Sequence, residues 1–129
     1  MIVVDSCVAI AWLGVEDAHH DSAERLLLDH AGSDFVVHPL TLAEILVGPA
    51  KAGRAERALE SLSGSGFRAD VPDAGQPVRL AELRADTGLK LPDCCALDVA
   101  LAHHAPLATF DDRLASVAEA RDLQVLPTP

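Results

Sequence analysis

Four acids in the chain each follow an apolar, strand-like run. Asp5 follows Ile2-Val3-Val4, Glu44 follows Phe35-Val36-Val37, Asp93 follows Leu89-Lys90-Leu91, and Asp111 follows Leu107-Ala108-Thr109-Phe110. They span nearly the whole sequence. A fold that gathers them creates a concentrated negative pocket, and like charges at close range raise one another's pKa unless a cation neutralises them. Such a cluster is a candidate metal site. An all-oxygen donor set favours hard cations, Mg²⁺ or Mn²⁺. The chemistry such a site supports is phosphodiester hydrolysis. The ion lowers the pKa of a bound water and polarises the phosphoryl group, and a second ion can stabilise the leaving oxygen. No Ser-His-Asp order or nucleophilic cysteine environment is visible, so the nucleophile is expected to be water, with the acids as ligands or proton acceptor.

Each acid also has a purely structural reading. Thr41-x-x-Glu44 has the form of a capping box. Asp5, Asp93 and either Asp111 or Asp112 suit N-caps or first helical turns, where the helix dipole favours negative charge. These readings explain the acids one at a time and leave their joint arrangement unexplained.

The elements that must position them alternate. Strands are expected at 2–4, 35–37, 67–71 (an edge strand ended by Pro72), 107–110 and 123–126. Helices are expected at 8–13, 18–31, 41–52, 54–62, 76–87, 92–104 and 112–121. Gly53 separates two helices that form an arm, and 63–66 is a loop. The helix over 92–104 is apolar almost all round except for Asp98, so it should be buried. This order predicts a parallel α/β sheet, whose ligands bind outside the carboxyl ends of the strands. Asp5 and Asp111 lie at strand ends, and Glu44 and Asp93 at helix starts on the same edge.

The 129 residues suit one domain, with no internal repeat or linker. Half are hydrophobic but only 3% are aromatic, so the core must be aliphatic, as suits helices packed on a parallel sheet. A net charge of −10 argues against nonspecific duplex DNA binding and suits a basic partner. Cys7, Cys94 and Cys95 are no disulfide framework, which points to a reducing compartment. No signal peptide is expected, and the uncharged stretch Cys7–Val15 is too short to span a bilayer. The adjacent pairs His19-His20 and His103-His104 lack zinc-ligand spacing. Cys94 and Cys95 read as small apolar packing. Asp98, about 140° around the helix from Asp93, faces elsewhere or supports the site indirectly. Aromatic stacking platforms for single strands are nearly absent.

Four segments carry a family resemblance: Ile2-Val3-Val4-Asp5-Ser6, Leu40-Thr41-Leu42-Ala43-Glu44-Ile45-Leu46, Leu91-Pro92-Asp93-Cys94-Cys95 and Leu107-Ala108-Thr109-Phe110-Asp111. In this order and spacing the chain resembles a PIN-domain ribonuclease, specifically the VapC toxins of bacterial toxin–antitoxin pairs. The resemblance implies a three-layer α/β/α fold with a central parallel sheet of four or five strands and a helical arm. It implies that Asp5, Glu44, Asp93 and Asp111 form a Mg²⁺ or Mn²⁺ site, with Ser6 and Thr109 supporting it. Asp112 is the alternative to Asp111, and the family spacing favours Asp111. It further implies endoribonuclease activity, an RNA substrate, a homodimer, a small cognate antitoxin that blocks the site, and a cytoplasmic location, with release from the cell left open. Lys51, Arg54, Arg57, Lys90 and Arg113 are the candidate RNA contacts. A catalytically inactive PIN-like module that binds RNA or protein is the alternative. An aspartyl-phosphate phosphotransferase needs Asp-x-Asp-x-Thr after the first strand. Asp5-Ser6-Cys7-Val8-Ala9 stands there instead. A response-regulator receiver fails too, for want of paired acids after that strand and a strand-flanking lysine.

Overall fold

A computed structural model describes residues 1–128. Short β-branched and apolar runs form five strands: β1 (Ile2–Val4), β2 (Phe35–Val37), β3 (Phe67–Ala69), β4 (Leu107–Ala108) and β5 (Val125–Leu126). They pair in parallel in the order β3-β2-β1-β4-β5. The helices are α1 (Ser6–Leu13), α2 (His20–Asp29), α3 (Pro39–Lys51), α4 (Ala55–Gly64), α5 (Gln76–Thr87), α6 (Leu91–His103) and α7 (Asp112–Glu119).

The twofold alternation of strand side chains divides the core. Ile2, Val4, Phe35, Val37 and Ala108 face one side, where they pack with Val8 of α1, Leu26 of α2, Ile45 of α3 and Leu62 of α4. Val3, Val36 and Leu107 face the other, against Leu97 and Val99 of α6 and Leu114 of α7, with Leu80 and Leu83 of α5 at the margin. Both faces are covered, which gives the expected three layers and explains the near absence of polar residues in the strands. Helices α3 and α4 pack on each other as the arm.

From β1 the chain moves outward to β2 and β3. It then returns past β1 to β4 and β5 on the other side. The strand order therefore reverses between β1 and β4. At such a point the connections leave to opposite faces and open a crevice at the carboxyl ends. Asp5 directly follows β1 and Asp111 comes three residues after β4, so the two acids flank that crevice.

Several boundaries differ from expectation. The strands are shorter: β3 stops at Ala69, β4 at Ala108, and β5 begins at Val125. Helix α2 is trimmed to His20–Asp29, while α4 runs on to Gly64 through half of the expected loop. Helix α3 begins at Pro39, two residues early, because His38 is its N-cap: the ring Nδ1 accepts the Leu40 N–H at 3.0 Å. The Thr41–Glu44 capping box therefore does not form. Thr41 lies inside the helix, buried, and its Oγ1 has no hydrogen-bond partner among the described residues. Glu44's side chain is released from any capping duty. Helix α6 matches its expectation, with every residue from Cys94 to Ala100 buried.

Candidate functional site

Asp5 is the centre of the crevice, and local chain geometry fixes it there. It leaves β1 in an extended conformation and caps α1, accepting the Ser6 backbone N–H on Oδ1 at 2.9 Å. Its Oδ2 accepts the Thr109 hydroxyl at 2.8 Å and the Cys7 thiol at 3.3 Å. Only 5% of Asp5 is exposed. A carboxylate held by several donors is locked in rotamer. Ser6 thus meets Asp5 through its backbone.

Thr109 links the second strand end to the first. Its hydroxyl donates to Asp5 and accepts the Asp111 backbone N–H at 3.0 Å. Asp111 is the N-cap of α7, with Oδ1 accepting the Leu114 N–H at 2.9 Å. Asp112 is exposed in the first turn of the same helix. Cys7, which sequence reading did not place here, ties the same two segments. Its Sγ contacts Thr109 Oγ1 at 3.6 Å and accepts the Phe110 N–H at 3.4 Å. Burial, then the Asp5 charge, pushes its pKa up to about 11, so it stays a thiol. Its position two residues after Asp5 was the available signal.

Glu44 comes from the second turn of α3 and Asp93 from the first turn of α6, two helices that pack together. The Glu44 carboxyl titrates above its ordinary value because of burial, then Asp5, then Asp93. Asp93 is raised by burial, then by Asp5 and Asp111, against the opposing pull of Lys90 and Arg113. Asp5 thus acts on both Glu44 and Asp93, and Asp111 acts on Asp93, where Asp112 does not figure. The cluster is open. The one group of three or more ligand atoms all within 4.8 Å of one another, among the described residues, is instead His20, Asp21 and Glu24 on α2. That triple joins one histidine to two carboxylates at i, i+1 and i+4, so no His or Cys spacing marks it.

The basic candidates divide. Lys90 and Arg113 stand beside Asp93. Arg113 also donates to the Thr87 carbonyl at 3.3 Å and lies against Gly88, whose left-handed conformation turns α5 into the approach to α6. A side chain at Gly88 would meet the Arg113 guanidinium at 3.1 Å. Arg54 and Arg57 line a groove of about 640 Å³ between α1 and the arm, walled by Ile10, Leu13 and Val47 and reaching Glu44. Lys51 is exposed in the last turn of α3 and does not line this groove. Asp98 turns away from the acids: it is buried and bonded to Gln76 and Arg79 of α5. Cys94 and Cys95 are buried packing residues. No helix among the described residues is long and apolar enough to cross a membrane.

A strand-end acid crevice on a parallel sheet of this order matches a known class. The family model described as the PIN domain matches residues 2–120, and the chain belongs to that family. Among solved structures it is similar to a toxin–antitoxin complex from Klebsiella pneumoniae, with 23% identity, 90% of this chain and 91% of that one covered, and a TM-score of 0.72. It is similar to Mycobacterium tuberculosis VapC20, described as a sarcin-ricin loop cleaving toxin, with 17% identity, 91% and 95% covered, and a TM-score of 0.75. It is also similar to VapBC2 from Rickettsia felis bound to a DNA fragment from their promoter, with 17% identity, 97% of each chain covered, and a TM-score of 0.67. No curated protein sequence matches significantly.

Proposed function

We propose that the chain is a metal-dependent endoribonuclease and the toxin of a toxin–antitoxin pair. The observation that carries this is the coupling of Asp5, Glu44, Asp93 and Asp111 at the reversal point of the sheet. The donor set fits a hard divalent cation. Carboxylate oxygens are what Mg²⁺ and Mn²⁺ take, and the raised pKa of Glu44 and Asp93 marks charge that a cation would neutralise. Asp5, Glu44, Asp93 and Asp111 would hold it. When bound, the ion supplies an activated water and charge neutralisation at the phosphoryl oxygens.

The side chains do the rest. Asp5, fixed by Ser6, Thr109 and Cys7, sets the position of the site. Water attacks phosphorus as the bond to the leaving ribose oxygen breaks. Its proton would pass to one of the carboxylates of the cluster, and the leaving oxygen would take up a proton from solvent. Lys90 and Arg113 hold phosphate oxygens beside Asp93, and Arg54 and Arg57 hold the strand along the groove.

Two of the similar structures are toxin–antitoxin assemblies, which supports an antitoxin partner. The apolar groove that opens on Glu44 suits a partner segment that delivers a basic residue to the acids, in keeping with the −10 charge. A homodimer completes the reading. The test is Asp5→Asn. Mg²⁺-dependent cleavage of total RNA on a gel should fall at least about 100-fold, with the circular dichroism spectrum unchanged. Undiminished cleavage in the folded variant would sink the proposal.

A further inference from the structure

We infer that a buried polar chain, running from His38 through Gln76 to Asp98 and Arg79, positions Glu44 against Asp93. It rests on the reading of those two acids as metal ligands. His38, Gln76 and Asp98 are 9%, 6% and 3% exposed. They come from the N-cap of α3, the first residue of α5 and the middle of α6.

Every proton in this chain can be assigned. His38 Nδ1 accepts the Leu40 N–H, so it carries a lone pair, and the ring proton lies on Nε2. Nε2–H then donates to Gln76 Oε1 at 2.8 Å. That orients the amide, whose Nε2 donates to Asp98 Oδ2 at 3.0 Å. Arg79 completes the acid's shell, with Nε to Oδ1 at 2.8 Å and Nη2 to Oδ2 at 3.1 Å. Its Nη1 and Nη2 also bond the Asp73 carboxylate at 2.9 and 3.2 Å. From the Leu40 N–H to Asp98 the bonds run in one direction, and a protonated His38 would lose the α3 cap.

Burying three polar side chains costs free energy unless each is paired, and apolar residues would fill the same space. What hydrogen bonds add is geometry, since they tolerate little change in distance or angle. Here they fix the start of α3 to the middle of α6. Glu44 stands six residues beyond His38, about 9 Å along α3, and Asp93 five residues before Asp98, about 7.5 Å along α6. Both acids are thus placed within about two turns of a pinned point, on helices that pack together. His38, Gln76 and Asp98 are positioning residues.

The test measures Mn²⁺ binding by electron paramagnetic resonance on folded protein, well below the melting temperature. Gln76→Met keeps the side-chain volume and cuts both links. His38→Asn keeps a side chain that caps α3 but is too short to reach Gln76, and it decides the matter alone if Gln76→Met does not fold. Each should raise the Mn²⁺ dissociation constant about tenfold, the loss typical when the support of a metal ligand is removed. Leu26→Ala, destabilising in the α2 core and outside the polar chain, should leave that constant unchanged. Glu44→Gln is the reference. If it weakens Mn²⁺ binding while His38→Asn and Gln76→Met bind as the wild type does, the inference is overturned and the metal site stands. If Glu44→Gln also binds as the wild type does, the site reading fails and the inference with it.

Discussion

At the scale of single residues, the four acids carry unequal burdens. Asp5 is spoken for by three donors, whereas Glu44 titrates above its ordinary value because of burial first and the charges of Asp5 and Asp93 second. A carboxyl whose pKa is raised in the fold binds its proton more tightly there than in the unfolded chain. Its ionisation therefore costs stability, with no penalty below the ordinary carboxylate range and the full penalty above the raised value. Glutamine at position 44 cannot ionise and removes that penalty. Metal-free Glu44→Gln should accordingly melt above the wild type at neutral pH. The gap should close as pH falls from above the raised Glu44 value to below the ordinary glutamate value of about 4.3. Saturating Mn²⁺ should reverse the order, because a ligand that binds only the folded state stabilises it in proportion to affinity. Differential scanning fluorimetry across pH, with and without Mn²⁺, checks both signs. A variant that melts below the wild type at every pH without metal would refute the ionisation penalty described here.

At the scale of elements, Asp111 serves two ends at once: it caps α7 and faces the other acids. Asparagine caps a helix about as well as aspartate, whereas alanine costs about 1 kcal/mol. Asp111→Asn should therefore keep its stability within about 0.5 kcal/mol and lose cleavage. Asp111→Ala should lose both, and Asp112→Asn should retain activity. Urea melts paired with RNA cleavage separate the roles; an active Asp111→Asn with an inactive Asp112→Asn would exchange the two residues. The strand ends that carry Asp5 and Asp111 were legible because the apolar runs Ile2-Val3-Val4 and Leu107–Phe110 read as strands, although the second strand stops at Ala108. The start of α3 was not. Thr41-x-x-Glu44 fits a capping pattern, but the cap is a histidine ring, which propensity does not favour. Pro39 at the first helical position was the overlooked signal. The link from His38 to Gln76 and Asp98 joins residues up to 60 positions apart. Only the packing of α3, α5 and α6 makes it, so no local pattern announces it.

At the scale of the whole molecule, an acidic chain must still hold a polyanion. A net charge of −10 repels RNA at long range, so productive contact depends on where the few cations stand. Composition gave the total charge, but the fold was needed to sort Lys51, which does not line the groove, from Arg54 and Arg57, which do. Those two arginines share that groove with Glu44 and are the natural path for a strand leaving the acids. Each phosphate contact on a single strand contributes about 0.7 to the slope of log affinity against log salt. Arg54→Gln with Arg57→Gln should therefore weaken binding of a fluorescent single-stranded RNA and reduce that slope by about 1.4. Anisotropy titrations in the Asp5→Asn background, where the RNA survives, give both quantities. The same double change in the active protein should raise KM far more than it lowers kcat, because the arginines lie along the strand and the attacked phosphorus is held at the acids. An unchanged salt slope would mean the RNA takes another route to the crevice, with Lys90 and Arg113 its remaining cationic guides.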